Sequence, residues 1–227
     1  MSQPQIQLCC IDLAGTTVVD EGAVLAAFGT ALDAVGVPAA SPGRKSMERA
    51  VGRSMGTSKI EVFRQLLGDE ALAREANGAF ERAYGEALER DGAAPIPGAR
   101  ETIEALQRAG LRVALHTGFS AVTRDRLLGT LGWQDLADLV LCPAEAGRGR
   151  PYPDMILASV LALRIDDVRL VAAVGDTAAD MAAGVRAGAS IVAGVLTGAD
   201  ARERLEEAGA THVLSSVAEL PRFLGLA

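Results

Sequence analysis

Six short runs of Val, Ile, Leu and Ala, at Ile6–Leu13, Leu111–Leu115, Leu139–Leu141, Leu170–Val174, Ser190–Val195 and His212–Leu214, constrain this chain more than any other feature. Each is too short for a comfortable helix, and a run such as Leu170-Val171-Ala172-Ala173-Val174 is apolar throughout rather than alternating. A strand that is apolar on both faces must be covered on both, and in parallel sheets helices do this. From the second run onward the strands alternate with stretches of helical periodicity at Ala99–Ala109, Ala121–Leu131, Pro153–Leu163, Ala178–Ala187, Ala201–Ala208 and Val217–Leu224. The expected class is α/β with a parallel sheet.

Between Leu13 and Leu111 no strand is evident, and helical segments are expected at Gly22–Val35, Thr57–Leu67 and Glu70–Glu89. The chain therefore divides into a core of residues 1–17 and 95–227 and an inserted helical domain at 18–94. The joints fall after Thr17 and in Ala93-Ala94-Pro95-Ile96-Pro97-Gly98, where Pro and Gly punctuate the return to the sheet. Val24, Leu25, Phe28, Leu32 and Val35 make the first inserted helix apolar enough either to pack within its domain or to pair with a second copy, so monomer and homodimer both stand.

Charge and composition narrow the function. The 227 residues carry 22 Lys and Arg against 29 Asp and Glu, a net charge of -7 with no basic stripe, which argues against nucleic acid as a partner. No apolar run approaches the ~20 residues of a membrane span. Three cysteines, two of them adjacent at Cys9 and Cys10, form no disulfide framework. With no leader resembling a secretory signal, the expected location is cytoplasmic. Two histidines, His116 and His212, and no Cys-x-x-Cys leave little material for zinc. No phosphate-binding, nucleophile-elbow or His-Glu-x-x-His signature is present either.

In an open parallel sheet, ligands bind beyond the carboxyl ends of the strands. The residues there are Asp12-Leu13-Ala14-Gly15-Thr16-Thr17, His116-Thr117-Gly118-Phe119-Ser120 and Gly175-Asp176-Thr177-Ala178-Ala179-Asp180. Singly, such Asp and Thr residues serve as turn or cap residues. Together they put three carboxylates on one rim, with Asp176 and Asp180 four apart and expected on one face of a helix start. An oxygen-only set of this kind suits Mg²⁺ beside a substrate phosphate. His116 is expected to be a packed core histidine.

In this order of motifs the chain resembles the haloacid dehalogenase superfamily over essentially its whole length, which implies a Rossmann-like core with a helical cap. Asp12-x-Ala14-Gly15-Thr16-Thr17 and Gly149-Arg150-Pro151 look like the phosphonatase group, in which Ala replaces the usual second Asp and Arg the usual Lys. The resemblance implies Asp12 as nucleophile and Thr117 holding the transferring group. It implies Arg150 neutralising charge, and Gly15 and Gly118 beside the substrate. Asp12, Asp176 and the Ala14 carbonyl would hold Mg²⁺, with Asp180 completing the acidic set. Loss of the acid two positions after the nucleophile fits a leaving group that needs no proton, such as a carbon delocalised into an iminium.

Met55-Gly56-Thr57-Ser58-Lys59-Ile60 looks like the phosphonatase cap motif, which implies Lys59 at the Schiff-base position. A helix start would lower its pKa through the macrodipole. As a flank of the stripe Ile60, Phe63 and Leu67 it would instead be a solvated edge lysine. Val62 and Phe119 stand where phosphonatases carry His and Tyr. Arg53 is a candidate for an anionic substrate tail, or a surface residue of its helix. The expected function is a Mg²⁺-dependent hydrolase of a small phosphonate such as phosphonoacetaldehyde. The alternatives are a phosphatase of small phosphate monoesters, phosphoglycolate-like, and a catalytically silent binding module.

Overall fold

The computed structural model describes residues 5–20 and 22–226. Strand β1 (Leu8–Asp12) is followed by four helices, α1 (Ala23–Ala34), α2 (Arg44–Arg53), α3 (Lys59–Leu67) and α4 (Glu70–Asp91). The chain then runs through α5 (Ala99–Arg108), β2 (Arg112–His116), α6 (Ala121–Leu131), β3 (Leu139–Leu141), α7 (Pro143–Ala146) and α8 (Asp154–Ala162). It closes with β4 (Val171–Gly175), α9 (Ala178–Ala187), β5 (Ile191–Val195), α10 (Arg202–Glu207), β6 (His212–Leu214) and α11 (Leu220–Phe223).

All six strands are parallel, in the order β3-β2-β1-β4-β5-β6. The order reverses between β1 and β4, and at such a switch point the loops after the two strands diverge and leave a crevice. Every residue of β1 and β4 is buried. Cys9, Ile11, Ala172 and Val174 face one apolar cluster, while Leu8, Cys10, Val171 and Ala173 face the other. That two-sided burial is the reason the runs are apolar without alternation. Among the described residues, no helix is long and apolar enough to cross a membrane.

The four helices after β1 bury an aromatic cluster that is continuous with the apolar residues of the sheet. The rings of Phe28 and Phe63 lie 4.9 Å apart, as do those of Phe28 and Phe80, and Tyr84 stacks on Phe80 at 6.0 Å. Val24, Phe28 and Leu32 are buried on α1 and belong to the same apolar cluster as Phe80 and Tyr84 of α4, so that part of the helix's apolar stripe is covered within the chain, while Leu25 is exposed. The two crossings to the sheet run side by side, with Val18 bridged to Pro95 and the Val19 amide donating to the Ala94 carbonyl at 2.9 Å.

Helix α2 was not expected from the sequence. Arg-Lys-Ser-Met-Glu-Arg-Ala-Val-Gly-Arg has no apolar stripe, and buries only Arg44 and Val51. A buried cation takes the stripe's place: the Arg44 guanidinium, 3% exposed, pairs with Asp33 and Glu48 and donates to the carbonyls of Val37 and, at 2.8 Å, Gly29. The expected helix at Val217–Leu224 is shorter, because Pro221 in the first turn of α11 has no amide to continue an earlier helix.

Candidate active site

Asp12 ends β1 and is 5% exposed. Behind it the chain folds into a tight turn in which the amides of Thr16, Thr17 and Val18 all donate to the Leu13 carbonyl, at 3.2, 2.9 and 2.8 Å. Gly15 adopts φ 88° in this turn. A Cβ there would lie 2.4 Å from Asp176 Oδ2, so glycine is required both for the left-handed backbone and for the approach of that carboxylate. Thr16 Oγ1 donates to Asp176 Oδ1 at 3.0 Å, and the Ala199 amide to Asp176 Oδ2 at 2.8 Å.

Asp176 and Asp180 do not share a helix face as the spacing suggests. Asp176 lies in the turn between β4 and the N-cap of α9, Thr177, and its carboxylate is held by the turn after β1 and the loop after β5. Asp180 sits in the first turn of α9 and closes a capping box, accepting from the Thr177 amide at 3.1 Å. The sheet topology, not helical periodicity, brings them together: oxygens of Asp12, Asp176 and Asp180 lie within 4.8 Å of one another.

Arg150 enters from the segment before α8, is 5% exposed, and pairs through Nη1 with both Asp12 and Asp180. Its Nε is buried without a hydrogen-bond partner. Three buried carboxylates therefore face one guanidinium. Burial raises the Asp12 carboxyl to about 6 against the pull of Arg150, and burial with the charges of Asp12 and Asp180 raises Asp176 well above the usual carboxylate range. A hard divalent cation fits this donor set, since all its atoms are oxygens and its uncompensated charge is negative.

The inserted helices close the other side. Lys59 is the first residue of α3 and its amide donates to the Gly118 carbonyl at 3.4 Å. Gly56 and Gly118 permit this close approach, because a Cβ at Gly56 would lie 2.4 Å from Thr177 Oγ1 and one at Gly118 2.7 Å from the Thr57 carbonyl oxygen. The Lys59 side chain is 8% exposed, with Nζ 5.2 Å from the Phe119 ring centre and 5.9 Å from that of Phe28. Its pKa is lowered to about 8, chiefly by burial and then by Arg150, with Asp12, Asp20 and Asp176 opposing. Burial, rather than the helix dipole invoked from sequence, is the main cause, and Lys59 is no solvated edge lysine.

A cavity of about 310 Å³ opens between the two halves, and Asp12, Ala14, Gly15, Lys59, Thr117, Gly118, Arg150 and Asp176 all line it. Asp180 stands behind Arg150, outside that lining. Arg53 is the candidate the structure leaves out: it is exposed, does not line the cavity, and its carbonyl accepts from Arg204 at 3.1 Å. His116 is a buried core residue 2.8 Å from Ser159 Oγ, and burial lowers its pKa to about 3.

Sequence reasoning missed Asp20, Thr197, Gly198 and Ala199, which also line the cavity. The last three follow β5, so reading the end of the fifth apolar run like the other strand ends would have found them. Gly198 is required, since a Cβ there would lie 1.9 Å from Asp176 Oδ2. Asp20 carries no motif, and only the fold brings it to the cavity that Lys59 lines.

A family model described as haloacid dehalogenase-like hydrolase matches residues 6–188. A protein named phosphonoacetaldehyde hydrolase from Pseudomonas entomophila is 31% identical over 210 residues, covering 86% of this chain and 74% of that relative. Two solved structures share the fold. A hydrolase from Pseudomonas syringae matches with a TM-score of 0.84 at 24% identity, over 97% of this chain and 98% of the other. A phosphonoacetaldehyde hydrolase-like protein from Oleispira antarctica matches at 0.82 and 23%, over 98% and 92%.

Proposed function

This chain belongs to the haloacid dehalogenase-like hydrolase family, and within it we propose a hydrolase of small phosphonates, of which phosphonoacetaldehyde is the leading candidate. The observation that carries this reading is one cavity holding both a buried amine, Lys59, and the carboxylate of Asp12. In this reading residues 18–94 form a cap over a core of residues 1–17 and 95–227, and closure keeps water from the reacting groups.

The Lys59 amine condenses with the aldehyde and releases water. Asp12 then attacks phosphorus, the carbon–phosphorus bond breaks, and its electron pair passes into the protonated imine. Water hydrolyses the aspartyl-phosphate to regenerate Asp12, and the carbon product leaves Lys59 by hydrolysis. Thr117 and the Gly118 backbone orient the phosphoryl group, and Arg150 offsets its charge during transfer. Asp12, Asp176 and the Ala14 carbonyl would hold Mg²⁺, with Asp180 supporting the set through Arg150. The ion's contribution when bound is to reduce repulsion between the anionic nucleophile and the phosphonate. Ala14 puts no acid beside the leaving group, as a carbon leaving group with its own electron sink requires. Three buried free thiols support a reducing, cytoplasmic setting.

The test is borohydride reduction in the presence of phosphonoacetaldehyde, with phosphate release measured in parallel. An adduct on Lys59, and phosphate release that is lost in Asp12→Ala, are expected. Phosphate release from small esters with no adduct would favour the monoester phosphatase, a reading supported by the apolar Val62 and Phe119. No turnover of any phosphonate or ester would favour a silent binding module.

A further inference from the structure

We propose that Asp20 is the proton partner of Lys59, relaying protons from the amine to the substrate carbonyl oxygen as the imine forms. This rests on the imine reading above and supplies what that reading lacks, an acid–base group beside the amine.

The cavity lining has no histidine, tyrosine, cysteine or glutamate among the described residues. Val62 and Phe119 are buried and apolar and carry no exchangeable side-chain proton. Among the described residues three carboxylates line the cavity, those of Asp12, Asp20 and Asp176. Asp12 is engaged by Arg150, and Asp176 by Thr16 and the Ala199 amide, at the phosphoryl end. Asp20 alone stands apart from that cluster, where the chain enters the inserted helices.

Neighbouring contacts hold it in place. The two residues before it are tied to the return crossing, Val18 bridged to Ala14 and Pro95, and Val19 bonded to the Ala94 carbonyl. Asp20 Oδ1 accepts from the Val24 amide in the first turn of α1 at 3.3 Å, which orients the carboxylate. Among the described residues no ion pair engages it, so it keeps acceptor capacity toward the cavity. The charged groups facing Lys59 are Arg150, which disfavours the ammonium, and Asp12, Asp20 and Asp176, which favour it.

The proton count closes. Asp20 takes one proton from the Lys59 ammonium, the neutral amine attacks the carbonyl carbon, and that proton passes to the oxygen. Asp20 then takes a second proton from nitrogen, giving the carbinolamine, and delivers it to the hydroxyl; the carbon–oxygen bond breaks, water leaves, and the iminium forms with nitrogen keeping its third proton. Asp20 ends as the carboxylate it began as, and no further reagent is consumed.

Asp20→Asn keeps the acceptor for the Val24 amide and removes the charge. In the full-length protein with Mg²⁺ and phosphonoacetaldehyde, the rate of borohydride-trapped adduct at Lys59 should fall about 100-fold at pH 7, and Asp20→Glu should recover part of it. The pH midpoint for reductive methylation of Lys59 should move downward in Asp20→Asn at unchanged Tm, a shift that a purely capping role would not produce. Adduct formation in Asp20→Asn as fast as in the unmodified protein overturns the proposal while leaving the imine reading standing. Phosphate release by the unmodified protein with no adduct at all overturns the imine reading, and this proposal with it.

Discussion

The ammonium-bearing end of Lys59, from the inserted helices, lies 5.2 Å from the ring centre of Phe119, from the loop after β2. An aromatic face gives a cation some compensation but is a poor substitute for water. The amine is therefore held where its neutral form is accessible near physiological pH, in the cavity that Asp12 also lines.

Lys59 should be trapped as an imine with a rate that rises with pH through a midpoint near 8 and levels off about one unit above it. Burial disfavours the charged form and lowers the pKa to about 8, so about a tenth of the amine is neutral at pH 7. An ordinary surface lysine would keep gaining reactivity past pH 10. Measuring the trapping rate between pH 6 and 10 separates the two, and Lys59→Met should abolish the adduct and lower phosphonate turnover by about 10³-fold or more.

Asp12→Asn should abolish turnover yet stabilise the metal-free protein at neutral pH. The folded-state pKa of Asp12 is raised to about 6 from 3.8, so ionising this carboxyl costs stability, and that cost appears as pH rises through the interval between those values. Removing the charge should gain on the order of 3 kcal/mol at pH 7, with Arg150 still paired to Asp180. Chemical denaturation without divalent ions reads this directly; destabilisation would contradict it.

Mg²⁺ should raise the melting temperature in a concentration-dependent way, by about 2.7 kcal/mol of stability at 100 times its dissociation constant. Gly198→Ala should weaken that effect. A Cβ at this position would land 1.9 Å from Asp176 Oδ2 and force the carboxylate to move. The expected loss in Mg²⁺ affinity is about 10- to 100-fold, read by calorimetry. Gly52→Ala, with nothing within 4 Å of the added carbon, is the control.

Arg44→Ala should destabilise the inserted helices by about 2–4 kcal/mol. It strips the donors from the half-buried Gly29 and Val37 carbonyls and from the Asp33 and Glu48 carboxylates. Urea denaturation followed by far-ultraviolet circular dichroism measures the loss.

The sheet, its strand positions and most of the rim residues were legible from sequence because their signals are local. A strand buried on both faces writes itself as an unbroken apolar run, and the strand end that follows it is where polar residues gather, as at Asp12, Thr117 and Asp176. Helix α2 was hidden because a buried Arg44 does the work of an apolar stripe, and its partners Gly29, Asp33 and Val37 precede the helix. The tertiary structure alone decided that Asp176 answers to Thr16 and Ala199 rather than to a helix face, that Arg53 stays outside the cavity, and that Asp20 and Lys59 line the same cavity. Each of these depends on the distance between residues far apart in the chain, which strand order and the docking of one half on the other set and no local pattern encodes.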